Sequence, residues 1–245
     1  MIYAILIGRK GSKGFPNKNL LKLFNKYIFE FPIIACKKSK LVDKIFVSTD
    51  SEFIKKIVKR KHKCTVINRP KILSSNQALG EDVFMHSYDQ IILNENIKKN
   101  KIEFLILLFA NAATLNHKMI IDGINFLRKN KSFDSAVSVS KYNMWSPLRA
   151  RKIDKNGSLK PFVPFKTFGN PKKLNCDRDS QGDVYFADMG LSIVRPRCFN
   201  NFDDNLLPQK WMGKKIAPIY SEAGFDIDYD WQLPLLKHWI KTFYE

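Results

Sequence analysis

The sequence predicts an α/β fold with a doubly wound, mainly parallel sheet. Short apolar runs of strand length alternate with longer amphipathic segments through the first 140 residues. Such alternation favours parallel strands joined by right-handed helical crossovers. The chain has 245 residues, which suits one domain at roughly 100 to 200 residues per domain. We therefore predict a single domain over residues 1–245 with one inserted arm.

Six apolar runs have the length and composition of buried strands. They cover residues 2–7, 44–48, 64–67, 104–109, 136–139 and 183–188. In an open α/β sheet, ligands bind outside the carboxyl ends of the strands. Residues that directly follow these runs are therefore the first candidates for a functional site.

Amphipathic segments between the strands predict helices at residues 51–61, 82–93 and 118–129. In the first of them the apolar stripe Phe53, Ile54, Ile57 and Val58 lies on one helical face. Either Asp50 or Ser51 is placed to cap that helix, so Asp50 is not assigned a catalytic role. A last helix is predicted at residues 231–243, because Pro234 is tolerated in a first turn.

The segment at about residues 141–181 breaks the alternation of strands and helices. It is rich in proline and carries large aromatic side chains such as Trp145, Phe162 and Phe168. A solvated loop seldom exposes so much apolar surface, and long irregular segments in compact domains usually have a function. We expect an inserted arm that pairs two copies of the chain, which makes the protein a homodimer.

Charge and cysteine usage exclude several classes of protein. The formal net charge is +19, but most of the 42 Lys and Arg residues are lysines scattered along the whole length. That distribution does not predict a nucleic-acid partner, although it favours anionic small molecules. The four cysteines show no metal-ligand spacing, and no apolar stretch reaches the roughly 20 residues of a membrane span. We expect a cytoplasmic protein with no membrane partner.

The loop that follows the first strand has the chemistry of a phosphate cradle. Three glycines fall within seven residues, Gly8, Gly11 and Gly14, and let backbone amides approach a ligand. Cations from Arg9, Lys13 and Lys18 belong to the same loop. The spacing matches neither a Walker A loop nor the GxGxxG fingerprint.

Four segments together resemble the acylneuraminate cytidylyltransferases, the family of the CMP-sialic acid synthetases. They are the glycine-rich loop, the run at residues 41–50 that ends in Val-Ser-Thr-Asp, the Arg-Pro-Lys-Ile-Leu segment at residues 69–73, and Phe-Asp-Ile-Asp at residues 225–228. Their order and rough spacing match the family over nearly the whole chain. The resemblance implies a Rossmann-like fold of the nucleotide-diphospho-sugar transferase type.

The resemblance also implies an activity. Members of the family convert CTP and a sugar acid to a CMP-sugar and pyrophosphate, require Mg²⁺, and pair through the arm region. Carried over by position, the residues expected to hold the nucleotide are Arg9, Gly11, Ser12, Lys13, Lys18, Asn19 and Arg69. The residues expected to carry catalysis are Arg9, Lys18, Asp226 and Asp228, since fixed cations would stabilise charge on the departing pyrophosphate.

The two late aspartates fall where the family binds its metal. Asp226 and Asp228 flank one isoleucine, so in an extended segment both carboxylates point to the same side. Mg²⁺ prefers a few carboxylates, with water and phosphate oxygens completing its shell. Asp230 lies on the same side but has no counterpart in the motif.

On the acceptor side the sequence departs from the family. Tyr185 falls where the family has an aromatic residue that faces the sugar. Phe109 stands where the family has a glutamine, and Arg178 lies one position before the family's arginine. We expect Phe109 to redirect acceptor choice towards a less polar compound; in the alternative, Phe109 turns into the core and Asn111 does the polar work.

Two other functions stay open at this stage. The protein could transfer a nucleotidyl group from another NTP, or to a non-sialic acceptor such as a sugar phosphate or a phosphonate. It could also be a non-catalytic nucleotide-binding paralogue in surface-glycan assembly. Retention of Lys18, Asp226 and Asp228 argues against a non-catalytic protein, which has no physical need for a metal pair.

Overall fold

A seven-stranded sheet forms the centre of the protein in the computed structural model, which describes residues 1–11, 14–175, 177, 182–200 and 202–244. Its strands are β1 Ile2–Ile7, β4 Lys44–Thr49, β5 Thr65–Asn68, β6 Phe104–Phe109, β7 Ser135–Lys141, β10 Tyr185–Val194 and β11 Ile216–Ser221. Two small hairpins complete the strands: β2 Lys22–Leu23 with β3 Lys26–Tyr27, and β8 Arg151–Ile153 with β9 Leu159–Pro161.

The strand order in the sheet is β11-β7-β10-β6-β1-β4-β5. Every described pairing in it is parallel except those of β10, which runs antiparallel to both β6 and β7. The prediction of a doubly wound, mainly parallel sheet is therefore confirmed. All six residues of β1 are buried, and that burial explains why an uninterrupted apolar run identified the strand.

Helices cover both faces of the sheet. They are α1 Glu30–Ser39, α2 Glu52–Arg60, α3 Gly80–Asn94, α4 His117–Lys129, α5 Arg197–Asn200 and α6 Leu233–Phe243. The three predicted internal helices are confirmed as α2, α3 and α4, and Pro234 lies in the first turn of α6 as expected. Helix α1 was not predicted, because seven of its ten residues are buried and no amphipathic period marks the sequence.

Apolar side chains form one layer on each face of the sheet and a third, smaller cluster at its ligand edge. The first layer contains α1, α2 and α4, and the second contains α3 and Trp211. The third cluster joins Ile28 and Phe31 to Leu236 and Trp239 of α6, with Ile227 among them. Ile227 is fully buried, so the packing of α6 holds the Asp226–Asp228 segment in place.

The segment between β7 and β10 forms the arm. It contains the β8–β9 hairpin and several short 3-10 helices. Among its described residues, five large apolar side chains stand exposed: Met144, Trp145, Ile153, Leu159 and Phe162. Of these, Trp145 and Phe162 belong to the aromatic side chains that the sequence analysis assigned to the arm, and the homodimer itself stays a prediction.

The three described cysteines, Cys36, Cys64 and Cys198, are buried free thiols, and Cys176 lies outside the described residues. Among the helices of the described chain, none has both the length and the apolar character that crossing a bilayer demands.

A buried acid-histidine pair makes stability depend on pH. Glu30 accepts hydrogen bonds from Tyr27 N at 2.8 Å, contacts His62 Nε2 at 2.7 Å, and pairs with Lys61 Nζ at 2.6 Å. Burial alone would raise the pKa of Glu30, but these contacts outweigh it and the net pKa lies below its ordinary value. Burial lowers the pKa of His62, against the opposing pull of Glu30.

Both groups therefore bind fewer protons when folded than when unfolded, and protonation favours the unfolded chain. We expect the free energy of unfolding to decrease as pH falls below about 6.5, the ordinary histidine pKa, and to decrease again as Glu30 titrates. Urea unfolding over a range from pH 7.5 to about 3 measures both decreases, because the Glu30 pKa lies below the ordinary value of a glutamate. His62→Gln should keep the contact with Glu30 and remove the first decrease; an unchanged pH profile in that variant would contradict the assignment.

Candidate active site

A cleft of about 640 Å³, including its open mouth, lies at the carboxyl ends of β1 and β6. Its described walls carry three cations, Arg9, Lys18 and Arg69, and no carboxylate. The remaining lining is mostly small or apolar: Ile7, Gly8, Gly11, Leu73, Ser75, Ala78, Gly80, Val83 and Phe109, with the amides Asn19 and Asn111. The cleft therefore favours an anion with a flat, weakly polar portion.

Two glycines allow the loop after β1 to pass close to its neighbours. A Cβ on Gly8 would lie 2.5 Å from Ala110 Cβ, and one on Gly14 would lie 3.1 Å from Asp228 O. The loop thus runs against the end of β6 and against the segment that bears the two aspartates. Gly11 also lines the cleft, while Ser12 and Lys13 lie outside the described residues.

Asp50 holds this loop at the ligand edge. Ser51, not Asp50, caps α2, since the Ser51 side chain accepts a hydrogen bond from Ile54 N at 3.4 Å. Asp50 Oδ1 instead accepts a hydrogen bond from Lys10 N at 2.7 Å. Its carboxylate therefore orders the loop's backbone, a role that the sequence left open.

The two arginines are held in different ways. Arg69 donates from Nη2 to Ser48 O at 2.8 Å, and burial lowers the pKa of its guanidinium to about 10, so it is still charged at neutral pH. Arg9 donates from Nη1 to Ser75 O at 2.9 Å and to Asn76 Oδ1 at 2.7 Å. Arg9 therefore joins the glycine-rich loop to the loop before α3, across the mouth of the cleft.

Lys18 and Asp228 form an ion pair at one margin of the cleft. Lys18 begins a short 3-10 helix that ends at Leu20. Its side chain is only 13% exposed, whereas that of Asp228 is 52% exposed. The lysine is thus positioned by the fold, and its partner carboxylate faces solvent.

Asn111 connects the end of β6 to the aspartate segment. Its side-chain nitrogen donates to Asp226 Oδ2 at 3.0 Å and to Ile227 O at 3.2 Å, and its backbone carbonyl accepts a hydrogen bond from Ile227 N at 3.0 Å. Burial raises the pKa of Asp226, and the charge of Asp228 raises it further. Two neighbouring carboxylates that repel each other in this way favour a bound cation.

Asn19 carries an acceptor without a partner. Its Nδ2 donates to Arg9 O at 3.3 Å, but its Oδ1 is buried and has no hydrogen-bond partner in the described protein. Buried polar atoms are almost always hydrogen-bonded in folded proteins. Since Asn19 lines the cleft, a hydrogen-bond donor on a ligand would give Asn19 Oδ1 the partner that it lacks within the described protein.

The two residues predicted for the acceptor lie apart from each other. Phe109 lines the cleft and packs edge-on against Phe84, with ring centroids 5.4 Å apart, and near Trp211 at 6.0 Å. Tyr185 is 45% exposed and contacts Tyr220, with ring centroids 5.5 Å apart. The structure therefore places Phe109 in the wall of the cleft, whereas Tyr185 is not among the residues that line it.

A second cavity lies beside Asp226. We call it the apolar groove; it measures about 1300 Å³ including its open mouth. Aromatic and aliphatic side chains dominate its walls: Tyr142, Met144, Trp145, Phe186, Met189, Phe225, Trp231, Leu235 and Trp239. Asp226 lines it directly, so the groove adjoins the aspartate pair.

A buried network supports the turn that precedes Asp226. Ser140 Oγ donates to Asp188 Oδ2 at 2.8 Å and accepts from Gly224 N at 2.8 Å, and Ser138 Oγ also donates to Asp188. Burial raises the pKa of Asp188. An irregularity in β10 between Ala187 and Ser192 turns this carboxyl inward, and no local sequence signal marks it.

The sequence is similar to known cytidylyltransferases. The family model described as cytidylyltransferase matches residues 3–100, which include the loop after β1 and Arg69. The pseudaminic acid cytidylyltransferase and UDP-2,4-diacetamido-2,4,6-trideoxy-beta-L-altropyranose hydrolase of Helicobacter pylori is 28% identical over 62% of this chain and 28% of its own length. The N-acylneuraminate cytidylyltransferase of Streptococcus agalactiae is 39% identical over 35% of this chain and 22% of its own length.

A solved structure covers nearly the whole chain. It is the CMP:2-keto-3-deoxy-manno-octonic acid synthetase complexed with CTP, which aligns over 98% of each chain with a TM-score of 0.66 at 13% identity. At that identity the likeness concerns the fold alone. The aligned parts amount to about a quarter of the length of the two curated relatives named above.

Proposed function

We propose that this chain transfers CMP from CTP to a sugar acid and releases pyrophosphate. The premise is that it is a divergent member of the cytidylyltransferase family related to the CMP-sialic acid synthetases. One observation carries the proposal. A cleft with three cations meets two aspartates at its margin, at the carboxyl ends of β1 and β6. Relatives named for the same reaction support the choice of substrates.

The cleft suits a nucleoside triphosphate. Arg9, Lys18 and Arg69 supply cations for the phosphates, and the small residues Gly8, Ala78 and Gly80 leave room for a base. Asn19 Oδ1 needs a donor, which a base amino group or a ribose hydroxyl provides. Gly11 also lines the cleft, and Ser12 and Lys13 follow it in the sequence of the same loop.

The aspartates fit Mg²⁺. The charge of Asp228 raises the pKa of Asp226, which shows that the two carboxylates act on each other, and they would be its protein ligands. A pair of carboxylates with water and phosphate oxygens is a common Mg²⁺ environment. When bound, the ion would neutralise charge on the triphosphate.

The chain's own residues would then orient the transfer. Lys18 lies between the cleft and Asp228, where its charge would stabilise the departing pyrophosphate. Asn111 fixes the Asp226 carboxylate. The acceptor hydroxyl attacks the α-phosphorus, the bond to the bridging oxygen of pyrophosphate breaks, and the hydroxyl proton passes to solvent.

The acceptor belongs in this proposal to the nonulosonic acids. One relative is named for pseudaminic acid and another for N-acylneuraminate. We also propose that the protein works as a cytoplasmic homodimer. The exposed apolar side chains of the arm support pairing, and buried free thiols suit a reducing compartment.

Pyrophosphate release from purified protein tests the function. The screen crosses four NTPs with N-acetylneuraminate, a pseudaminic-type acid and 3-deoxy-manno-octulosonate, with Mg²⁺ and without it. We expect CTP with a nonulosonic acid to give the highest release, and Mg²⁺ omission to abolish it. A different preferred NTP would correct the base, and no release from any pair would overturn the enzyme proposal in favour of a binding protein.

A further inference from the structure

Several polar atoms in the walls of the apolar groove are engaged within the protein, and His238 is a further polar residue of its lining. Gln232 Oε1 accepts hydrogen bonds from Asp228 N at 2.6 Å and Tyr229 N at 2.8 Å. Tyr142 OH donates to Gly224 O at 3.1 Å, and Trp239 Nε1 donates to Glu222 O at 2.5 Å. A ligand in the groove therefore meets mainly aromatic and aliphatic surface.

The buried acid at the floor of the groove is likewise occupied. Asp188 accepts hydrogen bonds from Ser138, Ser140 and Gly190 N. Among the described residues that line the groove there is no lysine and no arginine. A hydroxyl-rich ligand would lose hydrogen bonds to water there without gaining equivalents.

The position of the groove beside the aspartate pair bears on what it could bind. Asp226 lines the groove and is hydrogen-bonded to Asn111, which lines the nucleotide cleft. The two cavities thus meet at the aspartate pair, where the acceptor hydroxyl must reach the α-phosphate. In a ring-form nonulosonic acid the reacting hydroxyl and the carboxylate share one carbon, so both lie at this junction near Lys18 while the rest of the sugar points away.

We infer that the apolar groove binds the non-reacting part of the acceptor and selects acceptors that carry N-acyl and deoxy groups over fully hydroxylated ones. This inference rests on the proposed function. Under this inference, specificity for the acceptor depends on Trp231 and Leu235 of the C-terminal segment and on Phe186 of β10. Phe109 instead lines the cleft that binds the nucleotide. One methylene-sized group in an apolar site changes specificity by about 10- to 200-fold.

The test compares two acceptors that share the carboxylate and the reacting hydroxyl. One is a nonulosonic acid with two N-acetyl groups and a deoxy terminus, and the other is N-acetylneuraminate. With CTP and Mg²⁺, we expect kcat/KM for the diacylated, deoxy acid to be higher by about 10-fold or more. Equal values, or a preference for N-acetylneuraminate, would overturn the inference.

Variants test whether the groove causes the preference. Trp231 and Leu235 are 62% and 52% exposed, so Trp231→Ala and Leu235→Asn should fold normally. Each should reduce the ratio of the two kcat/KM values. Leu93→Asn, at a 70% exposed position on α3 outside the groove, is the matched control and should not change it.

Two outcomes separate the inference from neighbouring explanations. If no acceptor supports pyrophosphate release, the proposed function fails, and calorimetric titration of both acids then decides whether the groove still prefers the acylated one. If Trp231→Ala and Leu235→Asn convert a dimer to a monomer in light scattering and leave the acceptor ratio unchanged, a second copy of the chain occupies the groove, and the inference is wrong.

Discussion

Asp226→Asn and Asp228→Asn should each lower turnover by about 100-fold or more. Metal stabilisation of transition-state charge is worth several kcal/mol, and about 1.4 kcal/mol corresponds to a factor of ten. Either substitution removes a negative charge and hardly any volume, so the packing around Ile227 should survive. Asn111 can still hydrogen-bond the amide oxygen at position 226.

The measurement combines pyrophosphate release over a Mg²⁺ titration with Mn²⁺ binding by electron paramagnetic resonance. Mn²⁺ affinity should decrease in both variants whether or not an acceptor is present, which separates loss of the metal from loss of the acceptor. Asp230→Asn is the matched control, since Asp230 begins the next 3-10 helix and has no assigned role. Unaltered Mn²⁺ affinity in both variants would remove the metal assignment.

Lys18→Ala should weaken CTP binding far more than cytidine binding. A charge-assisted hydrogen bond contributes roughly 1.5 to 3 kcal/mol, which is about 10- to 150-fold in affinity. The contact depends on the phosphates, so the free nucleoside should bind almost unchanged. Calorimetric titration with CTP, CMP and cytidine measures the dependence on phosphate number.

The same substitution frees Asp228 from its ion pair. We therefore expect Mn²⁺ affinity without nucleotide to stay level or increase in Lys18→Ala, opposite to the effect of Asp228→Asn. Lys59→Ala, at an exposed position on α2, controls for the general loss of positive charge. Equal weakening of CTP and cytidine would show that Lys18 supports the fold of the cleft and not the phosphates.

Burial on both faces explains which elements were recognisable from sequence. Strands β1 and β6 have the predicted bounds, because a strand covered on both sides reads as one apolar run. Helix α1 is also covered on most sides. Because its residues are buried all round, its sequence lacks the amphipathic period that identifies a surface helix. Strand β10 extends beyond its predicted end, since its irregularity after Ala187 breaks the alternation that sequence patterns detect.

The features of the candidate site also divide into those that the sequence predicted and those that it did not. Residue type and order predicted a basic loop after the first strand, since those properties are local, and the family resemblance singled out the pair of aspartates. The contact between Asn111 and Asp226 joins residues 115 positions apart, and the apolar groove combines side chains from the arm, β10 and α6. Only folding brings such distant segments together, so the hydrogen bond between Asn111 and Asp226 and the shape of the apolar groove could not be read from local patterns.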